Sequence, residues 1–311
     1  MKLYANLHLH STHSDGSYTP KELAQIAYDE GYRAAALTDH DTVSGNTEFQ
    51  AACSALGMDS IFGIEFNVYT DMFYKKDGRK GAFHITAFDF DPEYPPIKEY
   101  LWQMSMRETY RTKTLFHRGV DIGYIKGITW DEVCEFNKGI TWLCNDHVFR
   151  AMKAKGLIDD SQYKDYFQTC FGKHRSQVPR LYDYKDIDEI IKLVHEAGGI
   201  TCLAHCTEQL RSTEIYKEIG YEGCIRKLIE IGIDGVEVWH RLLNEQEREE
   251  VLEIALKHNL FISGGSDHDG LCGGMYEYYE KPEECEFFVE PLSTGTTKEY
   301  FEEIKNKKIN R

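Results

Sequence analysis

The sequence predicts an α/β fold in which seven strands, with helices between most of them, form a parallel sheet closed or nearly closed into a barrel. Short runs of apolar, β-branched or aromatic residues recur at strand length, and helical patterns separate them. Histidines and acidic residues lie within or directly after these runs, spread over most of the chain. A fold that gathers strand ends, as a barrel does, would bring such residues together.

The first strand and helix have clear sequence signatures. Residues 2–10 alternate in polarity, which places His8 and His10 on the same face of a strand. The threonine, proline and glutamate of residues 19–22 match the start of a capped helix. Gly31 is placed to end that helix.

Each of the six later strands carries or precedes a polar residue that could act in a site. They are residues 33–38 before Asp39 and His40, 61–69 with Glu65, 83–90 with His84, 200–204 before His205, 235–239 before His240, and 260–263 before Asp267. Helices are predicted at residues 43–56, 186–197, 222–231 and 243–257. Since active sites of such barrels lie at the carboxyl ends of strands, these side chains are expected to converge.

Residues 95–180 interrupt the alternation of predicted strands and helices, because they are rich in charged and aromatic residues and contain no convincing strand. They predict a mainly helical insertion that covers the mouth of a barrel formed by residues 1–94 and 181–311. Arg107 and Arg111 are four residues apart in this insertion, so they share one helix face and could clamp a phosphate. Two solvated arginines on a helix surface would show the same spacing.

Composition argues against several classes of protein, among them a nuclease that acts on long chains. The chain has 36 Lys and Arg against 52 Asp and Glu, and its net charge of −16 opposes binding to long nucleic acids or anionic membranes. No apolar run approaches the roughly 20 residues needed to span a bilayer. The nine cysteines contain no Cys-x-x-Cys pair, which favours reduced thiols and a cytoplasmic location.

The polar residues at the strand ends are typical of a metal centre, because imidazole nitrogen and carboxylate oxygen bind zinc, manganese and iron. The segments concerned are His8-Leu9-His10-Ser11, Ser14-Asp15-Gly16, Thr38-Asp39-His40-Asp41, Glu65, His84, Leu203-Ala204-His205 and Gly265-Ser266-Asp267. Together they closely resemble the PHP (polymerase and histidinol phosphatase) superfamily, and most closely its stand-alone metal-dependent phosphoesterases.

This resemblance implies a distorted (β/α)7-type barrel, the PHP fold, that holds two or three divalent metal ions (Zn, Mn or Fe). It also implies their ligands, residue by residue. One ion would be held by His8, His10, Glu65 and Asp267; a second by Glu65 as a bridge with His84 and His205; and a third by Asp15, His40 and a histidine from the last motif.

The last motif departs from the family pattern. Family members end in Ser-Asp-x-His-Gly, whereas this chain reads Ser266-Asp267-His268-Asp269-Gly270. Either His268 or Asp269 could complete the third site, and His268 is favoured because imidazole is the commoner ligand of such metals.

Two further histidines are candidates for substrate contact. His147 lies in Asn145-Asp146-His147, where family members often have Arg-Pro-His, so one phosphate contact of the family is missing. His240 follows a predicted strand and could contact substrate or protonate a leaving group, or it could be a rim histidine with no role.

The predicted function is hydrolysis of a small phosphate monoester, such as a nucleotide or a sugar or amino-alcohol phosphate, by attack of a metal-bridging hydroxide. Glu65 and Asp267 would be the catalytic carboxylates. Arg107, Arg111, His147 and His240 would bind the substrate. The alternatives are a metal-dependent amidohydrolase-type hydrolase and a non-catalytic domain that binds metal or nucleotide.

Overall fold

The computed structural model describes residues 3–268 and 294–309 of the 311 residues. Within them, one seven-stranded sheet has its strands in chain order. The strands are β1 (Ala5–Asn6), β2 (Ala34–Leu37), β3 (Asp59–Tyr74), β4 (Lys80–Phe88), β5 (Ile200–Leu203), β6 (Gly235–Trp239) and β7 (Phe261–Gly264).

The prediction of a parallel sheet is wrong at β4. β1, β2 and β3 are mutually parallel, as are β5, β6 and β7, but β4 pairs antiparallel with both of its neighbours. β3 and β4 follow each other after only residues 75–79, which allows a hairpin but not the crossover that parallel strands require. The reversal brings His84, in the middle of β4, opposite Asn67 of β3 and therefore to the same rim as Glu65.

The ring closes through backbone hydrogen bonds between the segments that follow β1 and β7. Leu7 N donates to Gly264 O (3.0 Å), Asp267 N donates to His8 O (3.0 Å) and His10 N donates to His268 O (2.8 Å). Gly265 permits this approach, because a Cβ atom there would lie 2.3 Å from the Cβ atom of His8. The closure therefore lays the segment that carries Asp267 directly beside the two histidines of the first motif.

Helices connect the strands and form the insertion. They are α1 (Pro20–Asp29), α2 (Asn46–Ala55), α3 (Pro95–Asp121), α4 (Trp130–Phe136), α5 (Asn145–Ala154), α6 (Tyr163–Tyr166), α7 (Ile187–Glu196), α8 (Cys206–Arg211), α9 (Tyr216–Glu230), α10 (Glu245–Lys257) and α11 (Lys298–Asn306). The predicted capping box at Thr19 and Glu22 is present, and Gly31 follows α1 with a φ of 97°. None of the described helices is long and apolar enough to cross a bilayer.

One apolar cluster lies in the barrel, and another lies in the region of residues 95–180. That region is described throughout, and it contains helices but no strand. Its own cluster includes the fully buried Phe116, Phe149 and Tyr166. The first half of α3 instead packs into the barrel cluster through residues such as Tyr100 and Met104, so one long helix joins the two regions.

Candidate metal centre

Glu65 is the middle of the polar cluster at the barrel rim. It is fully buried in β3, and the two oxygens of its carboxylate face five histidine rings at 3.1–3.3 Å. Oε1 faces His8 Nε2 (3.3 Å), His84 Nδ1 (3.3 Å) and His205 Nε2 (3.1 Å), while Oε2 faces His10 Nε2 (3.2 Å) and His40 Nδ1 (3.1 Å).

The fold explains this convergence. His8 and His10 extend from β1 on one face, and His40 follows β2 and bridges to Glu65 of the neighbouring β3. His205 and Asp267 follow β5 and β7 with φ angles of 26° and 51°, a left-handed backbone that non-glycine residues adopt at a cost and that often marks functional sites.

Among the described residues, four groups of side chains have donor atoms close enough to share a cation. His8, His10, Glu65 and Asp267 form the first, and Asp267 Oδ1 lies 3.0 Å from His10 Nε2 and 3.4 Å from His8 Nε2. The second contains His40, Glu65 and His84; His205 faces the same Glu65 Oε1 as His84, and the centres of these two rings are 5.1 Å apart. The third contains His10, Asp15 and His40, and the fourth contains His8, Glu237 and His240.

The donors in these groups fit divalent metal ions. His8 Nε2, His10 Nδ1, His40 Nδ1 and Glu65 Oε2 are buried and make no hydrogen bond of normal geometry, although three of them take part in the close contacts described above. Buried polar atoms are normally satisfied, so atoms that converge without a partner point to a ligand. Nitrogen and carboxylate oxygen donors match zinc, manganese or iron.

The carboxylates and histidines of the cluster shift one another's pKa values. Burial alone would raise the pKa of Glu65, but the surrounding histidines hold it well below its usual value, so the carboxylate is ionised. Burial likewise opposes protonation of His8, yet the carboxylates of Glu65, Glu237 and Asp267 raise its pKa well above its usual value. The protein thus concentrates negative charge where cations would bind.

Comparison with known proteins identifies the family. The model of the PHP domain matches residues 6–262, which is most of the chain. The chain belongs to the PHP domain family. The predicted resemblance and the predicted barrel fold are therefore confirmed.

Several relatives of this PHP protein have assigned activities. It is 27% identical to a phosphoribosyl 1,2-cyclic phosphate 1,2-diphosphodiesterase of Eggerthella lenta, over 86% of this chain and 95% of that protein. It is 30% identical to a 5'-3' exoribonuclease of Haemophilus influenzae (86% and 90%), and 24% identical to a 3',5'-nucleoside bisphosphate phosphatase of Chromobacterium violaceum (84% and 86%). The relatives are thus hydrolases of phosphate esters, with different substrates.

A solved structure supports the same fold. A protein of Bifidobacterium adolescentis, described as a candidate metal-dependent phosphoesterase, superposes with a TM-score of 0.71 at 25% identity. The match covers 99% of this chain and 97% of that protein. The barrel and the region of residues 95–180 therefore both have counterparts in a known PHP-like structure.

Arg107 and Arg111 of α3 line a cavity of about 260 Å³. Arg175 and Arg180 line the same cavity, together with Tyr69 and Tyr184, while Arg107 stacks 3.6 Å above the centre of the Tyr184 ring. Tyr69 lies four residues beyond Glu65 in β3 on the same face, about 13 Å along the strand at the usual rise per residue. The cavity, here called the arginine pocket, therefore lies in line with the metal centre.

The two candidate substrate histidines are fully buried in this PHP protein. His147 Nδ1 accepts a hydrogen bond from Cys144 N (2.9 Å), and its Nε2 contacts Thr12 O (3.0 Å). His240 Nε2 points at Asp267 Oδ2 (3.4 Å), and its Nδ1 accepts from Leu242 N (3.2 Å). In this structure both rings contact protein atoms.

Among the described residues, the last motif adds no ligand to the third site. His268 is buried and its ring centre lies 6.4 Å from that of Tyr18, but within residues 3–268 and 294–309 it joins none of the groups above. Burial, with Arg241 nearby, lowers the pKa of His268 to about 3, so its imidazole is neutral. Asp269, the alternative ligand, lies outside the described residues.

Two buried carboxylates outside the predicted ligand set support the centre: Glu237, which sequence reasoning missed, and Asp39, which it named without a specific role. Glu237 Oε1 lies 3.1 Å from His8 Nδ1, and its Oε2 accepts from His205 N (2.7 Å). Asp39 accepts hydrogen bonds from the main chain and side chain of Ser11 and from the Ser14 hydroxyl. An acidic residue in the middle of the apolar strand Gly235–Trp239 was the available signal for Glu237, because a buried charge requires partners.

Proposed function

We propose that this PHP protein is a metal-dependent phosphoesterase that hydrolyses a small phosphate monoester. The observation that carries the proposal is the Glu65 carboxylate, which is shared between histidines of two neighbouring groups. Such a carboxylate suits a bridge between two ions, the arrangement that phosphatases use to clamp both oxygens of a displacement at phosphorus. Bound divalent ions would supply an activated water and neutralise the phosphoryl oxygens.

The protein's own residues have separable roles in this proposal. His8, His10, Glu65 and Asp267 would hold one ion, and Glu65, His84 and His205 a second. The side chain of Asp267 is 20% exposed, whereas that of Glu65 is fully buried, so Asp267 is the carboxylate open to substrate and water. The neighbouring histidines hold the pKa of Asp267 well below its usual value despite burial, and its Oδ2 faces His240. Its ionised carboxylate is therefore placed to accept hydrogen bonds from a water molecule and from His240.

The arginine pocket supports a phosphorylated substrate. Arg107, Arg111, Arg175 and Arg180 meet there in a chain whose net charge is −16, and arginine binds phosphate oxygens bidentately. Glu108 pairs with Arg111 and Arg175 from behind and keeps them in place. Because the pocket is displaced from Glu65 along β3, it would hold a second phosphate that does not react. A nucleoside bisphosphate, the substrate named for one relative, has this pattern.

A substrate panel tests the proposal. The purified protein, supplied with Mn²⁺, would be assayed for phosphate release from nucleoside bisphosphates, mononucleotides and sugar phosphates, and for hydrolysis of amides and lactones. Phosphate should be released from at least one ester, and Glu65→Gln should abolish that release. An absence of phosphate release from every ester, or hydrolysis of amides alone, would overturn the proposal in favour of an amidohydrolase-type activity.

A further inference from the structure

The loop that carries Asp15 is clamped between the barrel and α5. We infer that His147 and Arg150 of α5 are positioning residues that hold Asp15 in place for a third metal ion. This assignment rests on the proposed metal centre and extends it to residues that touch neither the metals nor the substrate.

Asp15 has little to hold its own carboxylate in place. Its Oδ1 lies 3.8 Å from His10 Nδ1 and its Oδ2 lies 3.7 Å from His40 Nε2, while the Ser14 hydroxyl, 3.3 Å from Oδ1, donates its one hydrogen to Asp39 at 2.6 Å instead. These distances leave room for a cation among the three side chains. The position of the Asp15 carboxylate is therefore set by the backbone of residues 11–16.

α5 binds that backbone at the carbonyls of three alternate residues of the loop. His147 Nε2 lies 3.0 Å from Thr12 O, Arg150 Nη2 donates to Ser14 O (3.4 Å) and Arg150 Nη1 donates to Gly16 O. Since His147 Nδ1 accepts from Cys144 N, its proton must be on Nε2, which makes this nitrogen the donor to Thr12 O. Both side chains thus contact the loop on either side of Asp15.

The opposite side of the loop is held by the barrel. Asp39 accepts hydrogen bonds from Ser11 N (2.6 Å) and from the hydroxyls of Ser11 (2.7 Å) and Ser14 (2.6 Å). Gly16 packs onto the backbone of His10, where a Cβ atom would lie 2.1 Å from the carbonyl oxygen. With Asp39 on one side and α5 on the other, the loop has one position, and Asp15 is placed facing His10 and His40.

The test measures metal content rather than turnover alone. Wild type, His147→Leu and Arg150→Gln would be loaded with Mn²⁺ or Zn²⁺ and dialysed, and the ions per chain and their release to a chelator would be followed. Wild type should hold three ions, and each variant should retain two while binding the third at least about tenfold more weakly, as is typical when groups that orient ligands are lost. His147→Gln should restore part of the third site, because its amide can both accept from Cys144 N and donate to Thr12 O.

Met152→Ala is the matched control for general damage to the insertion. Met152 is buried on α5, the helix that carries His147 and Arg150, and belongs to the apolar cluster of the region of residues 95–180. Truncating its side chain therefore lowers stability without removing a contact to the loop. Loss of the third ion in Met152→Ala as well, or three ions retained in His147→Leu and Arg150→Gln, would overturn the positioning role. A wild-type protein that binds only two ions would also overturn it, yet leave the proposed phosphoesterase standing; a wild-type protein that binds none would overturn both.

Discussion

Glu237 Oε1 lies 3.1 Å from His8 Nδ1, and both side chains are fully buried beneath the proposed metal centre. The second oxygen of Glu237 accepts a hydrogen bond from His205 N. The Glu237 carboxylate therefore orients His8, a proposed ligand of the first ion. It also fixes the backbone of His205, a proposed ligand of the second ion. Partners of this kind set the tautomer and direction of metal-bound histidines.

Replacing Glu237 by glutamine should weaken metal binding by about 10–100-fold, because an amide cannot accept hydrogen bonds from both His8 and His205. Chelator competition with purified protein measures the change. Glu247→Gln is the control, since Glu247 is buried in α10 and pairs with Tyr221 and Arg211 away from the centre. Equal affinities in Glu237→Gln and wild type would show that Glu237 does not orient the ligands.

Glu65→Gln should lose ions from both of the groups that share it. The amide cannot supply two negative oxygens to the histidines around it, so elemental analysis should find at most one ion per chain after dialysis. His13→Gln should keep the full metal content, because His13 bonds to Ser44 beside the centre and belongs to none of the described groups. Full occupancy in Glu65→Gln would rule out the bridging role.

Substitutions in the arginine pocket should weaken substrate binding while leaving the rate of the chemical step nearly unchanged. Arg180→Ala should raise KM for a nucleoside bisphosphate by roughly 10–100-fold, the loss expected for a hydrogen bond to a charged group, while kcat changes little. The effect on a monophosphate should be much smaller, because no second phosphate reaches the pocket. Arg118→Ala is the control, since Arg118 lies on α3 and donates to Thr169 O instead. A similar rise in KM for both substrates would contradict a second-phosphate site.

The pair His195 and Asp234 should make stability depend on pH. His195 Nε2 lies 2.7 Å from Asp234 Oδ2, and this hydrogen bond raises the pKa of His195 above 6.5. A raised histidine pKa adds stability that is fully present below pH 6.5 and is lost as the pH rises through the folded-state value. In chemical denaturation, the free energy of unfolding of His195→Gln should therefore fall furthest below that of wild type at pH values under 6.5. The difference between the two proteins should shrink as the pH rises above 6.5. A difference that grows with rising pH would contradict the assignment.

Local patterns in the sequence predicted much of the fold. β6 matches its predicted range of residues 235–239, and α1 begins at the predicted capping box. The direction of β4 was missed, because alternation shows a strand but not its sense. The predicted strands also left residues 70–82 between them, whereas the observed connection is only residues 75–79, short enough for a hairpin.

The sequence likewise predicted some residues of the candidate site and not others. His8, His10 and Glu65 follow from alternation and family motifs, and the structure brings them together. Arg175 and Arg180 reach the arginine pocket only through tertiary packing, so no local pattern identified them. Glu237 had a local signal, its acidic position in an apolar strand, but its contact with His8 depends on the fold. His147 was predicted at the substrate, whereas its ring is enclosed between α5 and the Asp15 loop, because burial of a residue in an insertion depends on where the insertion docks.

The position of the metal ions tests the central proposal most directly. A crystal of the protein soaked with Mn²⁺ would be measured for anomalous scattering at the manganese edge. Of the three peaks expected, two should be bridged by the Glu65 carboxylate, one of them also bound by Asp267 and the other by His84 and His205. Peaks that avoid Glu65, or none at full soaking concentration, would contradict the proposed phosphoesterase centre.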